Sequence, residues 1–106
     1  MLAVVASVAV SVPERVTVPA TQTASIALVI SDDRSIEGTI VDVTPEAGVS
    51  VKKRRLGPGA TFEIAVRGEA AGEHAVAIRV RYWACRAHAC WPVDVRVKTI
   101  VVVTDG

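Results

Sequence analysis

The sequence predicts an all-β chain folded as a two-sheet sandwich of roughly seven to eight strands, and three observations carry that expectation. Valine makes up about a fifth of the 106 residues while aromatics are only 4%, a bias toward pleated sheet. Apolar and polar residues alternate with a period of two, as where Val76, Ile78, Val80 and Tyr82 interleave with Ala77, Arg79, Arg81 and Trp83, and no segment keeps the period of a helix. Clusters of proline, glycine and aspartate interrupt these runs at short intervals, where strands must end.

The first run, residues 2–12, is apolar but has no basic region before it and is shorter than the roughly 18 residues a spanning helix needs. Val8, Val10 and Val12 alternating with Ser7, Ala9 and Ser11 fit a strand instead. Pro13-Glu14 ends it, and a short run at 15–18 stops at Pro19-Ala20. Ser31-Asp32-Asp33 separates the runs 22–30 and 36–43. Thr44-Pro45-Glu46-Ala47-Gly48 leads into 49–54, Leu56-Gly57-Pro58-Gly59 into 61–67, and Gly68-Glu69-Ala70-Ala71-Gly72 into the long pair 74–84 and 92–103. Each break combines residues of fixed or permissive φ.

With no linker, repeat or low-complexity tract, residues 1–106 are expected to form a single domain around one core. A net charge of +1 gives no field to attract nucleic acid or acidic lipid, so neither nucleic acid nor direct membrane insertion is expected. Either Met1 opens a cytoplasmic chain, or it stands where a leader has been removed and the domain is extracytoplasmic, in the periplasm or cell envelope.

Cys85 and Cys90 are the only cysteines, and they lie inside the aromatic-rich stretch Tyr82-Trp83-Ala84-Cys85-Arg86-Ala87-His88-Ala89-Cys90-Trp91-Pro92. A hairpin with a four-residue loop over 86–89 would set them opposite each other, roughly 4.5 to 5.5 Å apart at Cα, a span a disulfide can bridge. Parity puts Cys85 in phase with Arg79, Arg81 and Trp83, and Cys90 in phase with Asp94, Arg96 and Lys98, so neither sulfur belongs to the buried set. The same register opposes Trp83 to Pro92 and Arg81 to Asp94, favourable cross-strand partners.

Two resemblances follow from these residues. Leu56-Gly57-Pro58-Gly59-Ala60-Thr61-Phe62-Glu63-Ile64-Ala65-Val66, then Ala71-Gly72-Glu73-His74 leading into a long strand, resembles the immunoglobulin-like domains of bacterial and archaeal envelope proteins. Val80-Arg81-Tyr82-Trp83-Ala84-Cys85 through Cys90-Trp91-Pro92, followed by a valine-rich strand, is similar to the end of the amino-terminal periplasmic domain of the DsbD family of membrane thiol:disulfide interchange proteins. That second resemblance implies an immunoglobulin-like sandwich whose terminal hairpin carries a redox dithiol. In it Cys85 and Cys90 exchange, with Tyr82, Trp91 and Pro92 as framework. The implied partners are protein thiols and disulfides, a membrane electron donor and thioredoxin-like proteins.

The residues themselves leave three readings of the cysteine pair open. Arginines at 79, 81, 86 and 96, with His88 between the cysteines, would lower a thiol pKa and favour exchange, with Arg86 or His88 stabilising the thiolate while Trp83, Trp91 and Pro92 restrict access. The bridge could instead staple a hairpin in a non-catalytic envelope interaction or adhesion module, although so short a loop gains only on the order of 2 kcal/mol. Cys85-x-x-His88-x-Cys90 offers three metal ligands, but His74 lies about 35 Å of extended strand away and no closed zinc site results. A type 1 copper centre lacks its upstream His and downstream Met; Cu(I) between the two sulfurs is the metal reading that survives. No cofactor and no resident metal are therefore assigned.

Other features read as structure. Lys52-Lys53-Arg54-Arg55 is a solvated strand end, with docking of an acidic partner as the alternative. Asp32-Asp33-Arg34 with Glu37 matches no calcium loop and reads as a turn. Gly57-Pro58-Gly59 leads into a strand and cannot cradle phosphate, no carboxylate pair or Ser/His/Asp triad can be assembled, and His74 is expected to be an ordinary exposed residue.

Overall fold

A computed structural model describes residues 4–6 and 10–105, and for 4–6 the backbone only. Its strands are β1 (Val4–Ala6), β2 (Val10–Pro13), β3 (Arg15–Pro19), β4 (Thr23–Ile30), β5 (Ser35–Pro45), β6 (Val49–Val51), β7 (Arg55–Leu56), β8 (Thr61–Gly68), β9 (Gly72–Arg86) and β10 (Ala89–Thr104). They form two five-stranded sheets, β1-β2-β4-β8-β6 and β3-β10-β9-β5-β7. Every named pairing is antiparallel except β3 with β10. The all-β sandwich expected from valine content and alternation is the observed architecture, and among the described residues no helix is long and apolar enough to cross a membrane.

Period-two patterning builds the core. Val10, Val12, Ile26, Leu28, Ile30, Ile64 and Val66 from the first sheet meet Val41, Val43, Val76, Ile78, Val80, Val101 and Val103 from the second, all buried. Burying side chains of this size contributes about 1.5–3 kcal/mol each before the entropic cost of ordering them. That patterning fixes register, because a slip of one residue would send each set to solvent.

Among the described residues ten strands arise where roughly eight are expected, because one run divides and a short strand forms at Arg55–Leu56, past the end of another. The run at 2–12 contains β1 and β2, paired antiparallel with Val4 opposite Pro13; residues 2, 3 and 7–9 lie outside the described part. The run at 49–54 ends at Val51 in the first sheet, and the chain crosses to the second sheet before Arg55 pairs with Asp42. The physical reason is the run Lys52-Lys53-Arg54-Arg55. Alternation would drive every second cation inward, so the chain leaves the sheet there, with residues 52–55 all exposed. The switch from β2 to β3 at Pro13-Glu14 is similar, and is tied down by Thr99 Oγ1 donating to the Pro13 carbonyl at 2.9 Å and Ile100 N to the Glu14 carbonyl at 3.0 Å.

The sandwich end beneath the β9–β10 tip is closed by the β4–β5 connection. Asp32 Oδ1 accepts from Arg34 N and Nε at 2.9 and 2.8 Å, and Oδ2 accepts from Arg34 Nη2 at 3.0 Å and from the Tyr82 hydroxyl at 2.7 Å. Arg34 in turn lies over the Trp91 ring, 5.9 Å from its centroid. The Asp32 carboxylate is only 4% exposed, and these donors, Arg34 foremost, hold it well below the usual carboxylate range. The segment expected to be a plain turn is therefore the sandwich's polar end plate. His74, expected to be an ordinary exposed residue, is half-buried, and its Nε2–H donates to the Ala70 carbonyl at 2.7 Å.

Gly57 sits at φ +144° against the Thr39 carbonyl, where an added Cβ would collide with backbone that has no rotamer to escape into. Gly57→Ala should therefore cost about 2 kcal/mol or more in chemical denaturation, whereas a loss within about 0.5 kcal/mol would show that β5 can shift at no cost.

Burial, reinforced by the bond to Asp32, pushes the Tyr82 hydroxyl up to about 12. Tyr82 is the only tyrosine, so its ultraviolet ionisation should have a midpoint near 12 in the native chain and near 10 in denaturant. A folded pKa above the unfolded one gives stability that is intact below about pH 10 and lost as pH rises toward 12. Tyr82→Phe should abolish that alkaline decline; parallel losses in the two proteins would assign it elsewhere.

Candidate functional site

The pairing of β9 with β10 runs without interruption from Gly72 opposite Val103 to Arg86 opposite Ala89. Cys85 is opposite Cys90, Trp83 opposite Pro92 and Arg81 opposite Asp94, as the spacing predicts. The expected four-residue loop is shorter, because Arg86 and Ala89 still pair and only Ala87 and His88 turn the chain. Both have positive φ, +51° and +68°, as a type I′ hairpin requires, although neither is the glycine or asparagine that adopts it without strain.

The sulfurs of Cys85 and Cys90 are bonded, with the Cα atoms 4.1 Å apart. Cys85 is half-buried and Cys90 exposed, so solvent reaches the bridge mainly from the β10 side. Trp83, 50% exposed, and Pro92 flank the bridge on the same face and line a shallow groove of about 300 Å³ with Gly38, Ile40, Arg81 and Asp94. Trp91, 48% exposed, has the parity of buried Ala84, its partner, and so stands on the opposite face, beside Arg34. Tyr82 is likewise on the inner face, bonded to Asp32.

Three of the four arginines expected around the sulfurs, Arg79, Arg81 and Arg86, are engaged elsewhere. Arg79, one step along the ladder, takes both oxygens of Asp94, at 3.0 and 2.6 Å, and holds that carboxyl below its ordinary range. Arg81 is opposite Asp94 in register, yet its Nη2 donates to Asp42 at 2.7 Å, an acid already held by Arg55. Arg86 points to the inner face and pairs with Asp33. His88 stands exposed at the apex of the turn.

A carboxylate that the sequence does not associate with the cysteines lies beside them. One ligand atom each from Glu37, Cys85 and Cys90 falls within 4.8 Å of the others, the sole such group of three His, Cys, Asp or Glu side chains among the described residues. The cause is a β-bulge in β5. Ser35 and Glu37 oppose Cys85 and Trp83, then the register shifts and Ile40 opposes Arg81. Strict alternation from Ile36 would put Val41 and Val43 on the solvent face; the extra residue restores them to the core while leaving Glu37 outside with the sulfurs. Gly38 takes φ +64° at the shift and leaves room for the Trp83 ring, 3.5 Å from where its Cβ would be. The signal was present in sequence, as a glycine inside a strand whose apolar residues change parity across it.

If the positive φ values strain the turn, Ala87→Asn with His88→Gly should stabilise the chain by about 1 kcal/mol, read by chemical denaturation with the bridge intact. No gain would mean that the turn is relaxed as it stands. Compared with models of known protein families and with curated protein sequences, the chain matches none.

Proposed function

We propose that this domain is a thiol–disulfide exchange module whose redox pair is Cys85–Cys90, working in an oxidising compartment such as the periplasm or cell envelope. The observation that carries the reading is the position of the bridge, at a hairpin tip with Cys90 exposed and a groove beside it. Structural bridges are usually sealed, whereas exchange needs a straight path for an incoming thiolate along the S–S axis. The similarity of the hairpin sequence to the DsbD family supports the same chemistry, with a membrane electron donor on one side and substrate proteins on the other.

In the reductive half, a partner thiolate attacks Cys90 Sγ, the S–S bond breaks, and Cys85 leaves as a thiolate that takes a proton. The partner's second thiolate then attacks the mixed disulfide at its own sulfur, releasing Cys90. Two electrons and two protons have passed to the domain, and the partner leaves as a disulfide. The oxidative half is the reverse with a substrate disulfide. Trp83, exposed and opposite Pro92 beside the bridge, supports a role for this pair in contacting the partner residues next to its cysteine.

A second reading has its own support: the bridge closes a turn whose two residues both hold positive φ, so it could serve as a staple in a non-catalytic interaction module. Equilibration against glutathione and dithiothreitol buffers separates the two. Exchange predicts a potential above about −300 mV and a mixed disulfide trapped on Cys90 in Cys85→Ser; a staple predicts a potential below that value and no trapped partner.

A further inference from the structure

We infer that the reduced form of this hairpin is a zinc site, with Cys85 Sγ, Cys90 Sγ and the Glu37 carboxylate as ligands and a fourth position open. The inference shares with the exchange reading the requirement that the bridge be reducible, but does not depend on any protein substrate.

The argument begins with donor chemistry. Two thiolates and one carboxylate suit an ion of borderline softness; Cu(I) would use the sulfurs and ignore the oxygen, while magnesium and calcium would do the reverse. Zn²⁺ takes both kinds of donor at about 2.3 Å to sulfur and about 2.0–2.2 Å to oxygen, which in a tetrahedron puts ligand atoms roughly 3.5–3.8 Å apart. All three atoms already lie within 4.8 Å of one another, and breaking the bond frees both cysteine side chains to rotate toward that spacing. Three strands hold the ligands' backbones in register, since β5 pairs with β9 at Ser35–Cys85 and Glu37–Trp83, and β9 with β10 at Cys85–Cys90.

The acid is also available. On this face Asp42 and Asp94 are taken by Arg55, Arg81 and Arg79, whereas the Glu37 carboxylate makes no hydrogen bond or ion pair among the described residues. Its position results from the bulge at Gly38, which core packing of Ile36 and Val41 requires. Beside a disulfide the carboxylate has no ionic partner; beside a divalent cation held by the two thiolates it gains one.

The balance is simple. A dithiol reductant supplies two electrons and two protons, the Cys85–Cys90 bond breaks to two thiols, and the reductant becomes a disulfide. Zinc then displaces both thiol protons to solvent. The fourth position takes water or a partner's thiolate. Metal binds only the dithiol, so zinc at a hundred times its dissociation constant would favour the reduced state about a hundred-fold.

The test uses the full chain, reduced by a phosphine in the absence of oxygen and titrated with Zn²⁺ against a chromophoric chelator, with Cd²⁺ as an ultraviolet probe of thiolate ligation. One equivalent should bind, Glu37→Gln should weaken it at least about ten-fold, Glu63→Gln on the other sheet should leave it unchanged, and the oxidised protein and Cys85→Ser should bind no better than background. Glu37 is exposed, so its replacement does not endanger folding. Absence of stoichiometric binding by the reduced chain would overturn the inference, as would equal affinity in Glu37→Gln. Because the phosphine reduces the bridge whatever its potential, either failure leaves the exchange reading to be judged by the redox equilibration alone.

Discussion

The register between β9 and β10 is the constraint from which the site follows. Val76, Ile78, Val80, Val101 and Val103, buried well away from the cysteines, fix which residue of one strand lies opposite which residue of the other. From there the ladder carries the alignment unbroken to the tip, where it sets Cys85 opposite Cys90. The sulfurs are therefore aligned by hydrocarbon packing, and their bond adds a covalent tie to a geometry the strands already impose. A one-residue slip anywhere in the ladder would separate the cysteines and expose the valines together.

The neighbouring strand reaches the same end by irregularity. β5 must bury Ile36 and Thr39 near the tip and Val41 and Val43 farther in, positions that a strict alternation cannot serve. The bulge reconciles them, Gly38 supplying the left-handed conformation and Gly57 leaving space behind the Thr39 carbonyl. Glu37 is put beside the bridge as a consequence. A carboxylate faces the sulfurs, while Arg79, Arg81 and Arg86 are held by Asp94, Asp42 and Asp33.

Much of this was legible in the sequence, for a definite reason. Period-two alternation is a local signal, and it located the sandwich, the long terminal hairpin and the opposition of Cys85 to Cys90, Trp83 to Pro92 and Arg81 to Asp94. What escaped were outcomes of competition between strands distant in sequence. Arg81 faces Asp94 but bonds Asp42, because β5 brings a second acid within reach and Arg79 takes the first. Lys52 to Arg55 reads as a strand end by charge, yet only the second sheet reveals it as a crossing. Asp32 looked like a turn residue since nothing in its own neighbourhood announces Tyr82, fifty positions later, as its hydrogen-bond donor.

β3 accompanies β10 only from Ile100 to Thr104, so among the described residues the stretch 89–99 is paired within its sheet to β9 alone. Such a margin ordinarily invites a foreign chain to join the sheet for good. Here Pro92 removes a donor close to the bridge, and Arg96 and Lys98 charge the stretch beyond it. The same interruptions limit how far this edge could be extended by another strand.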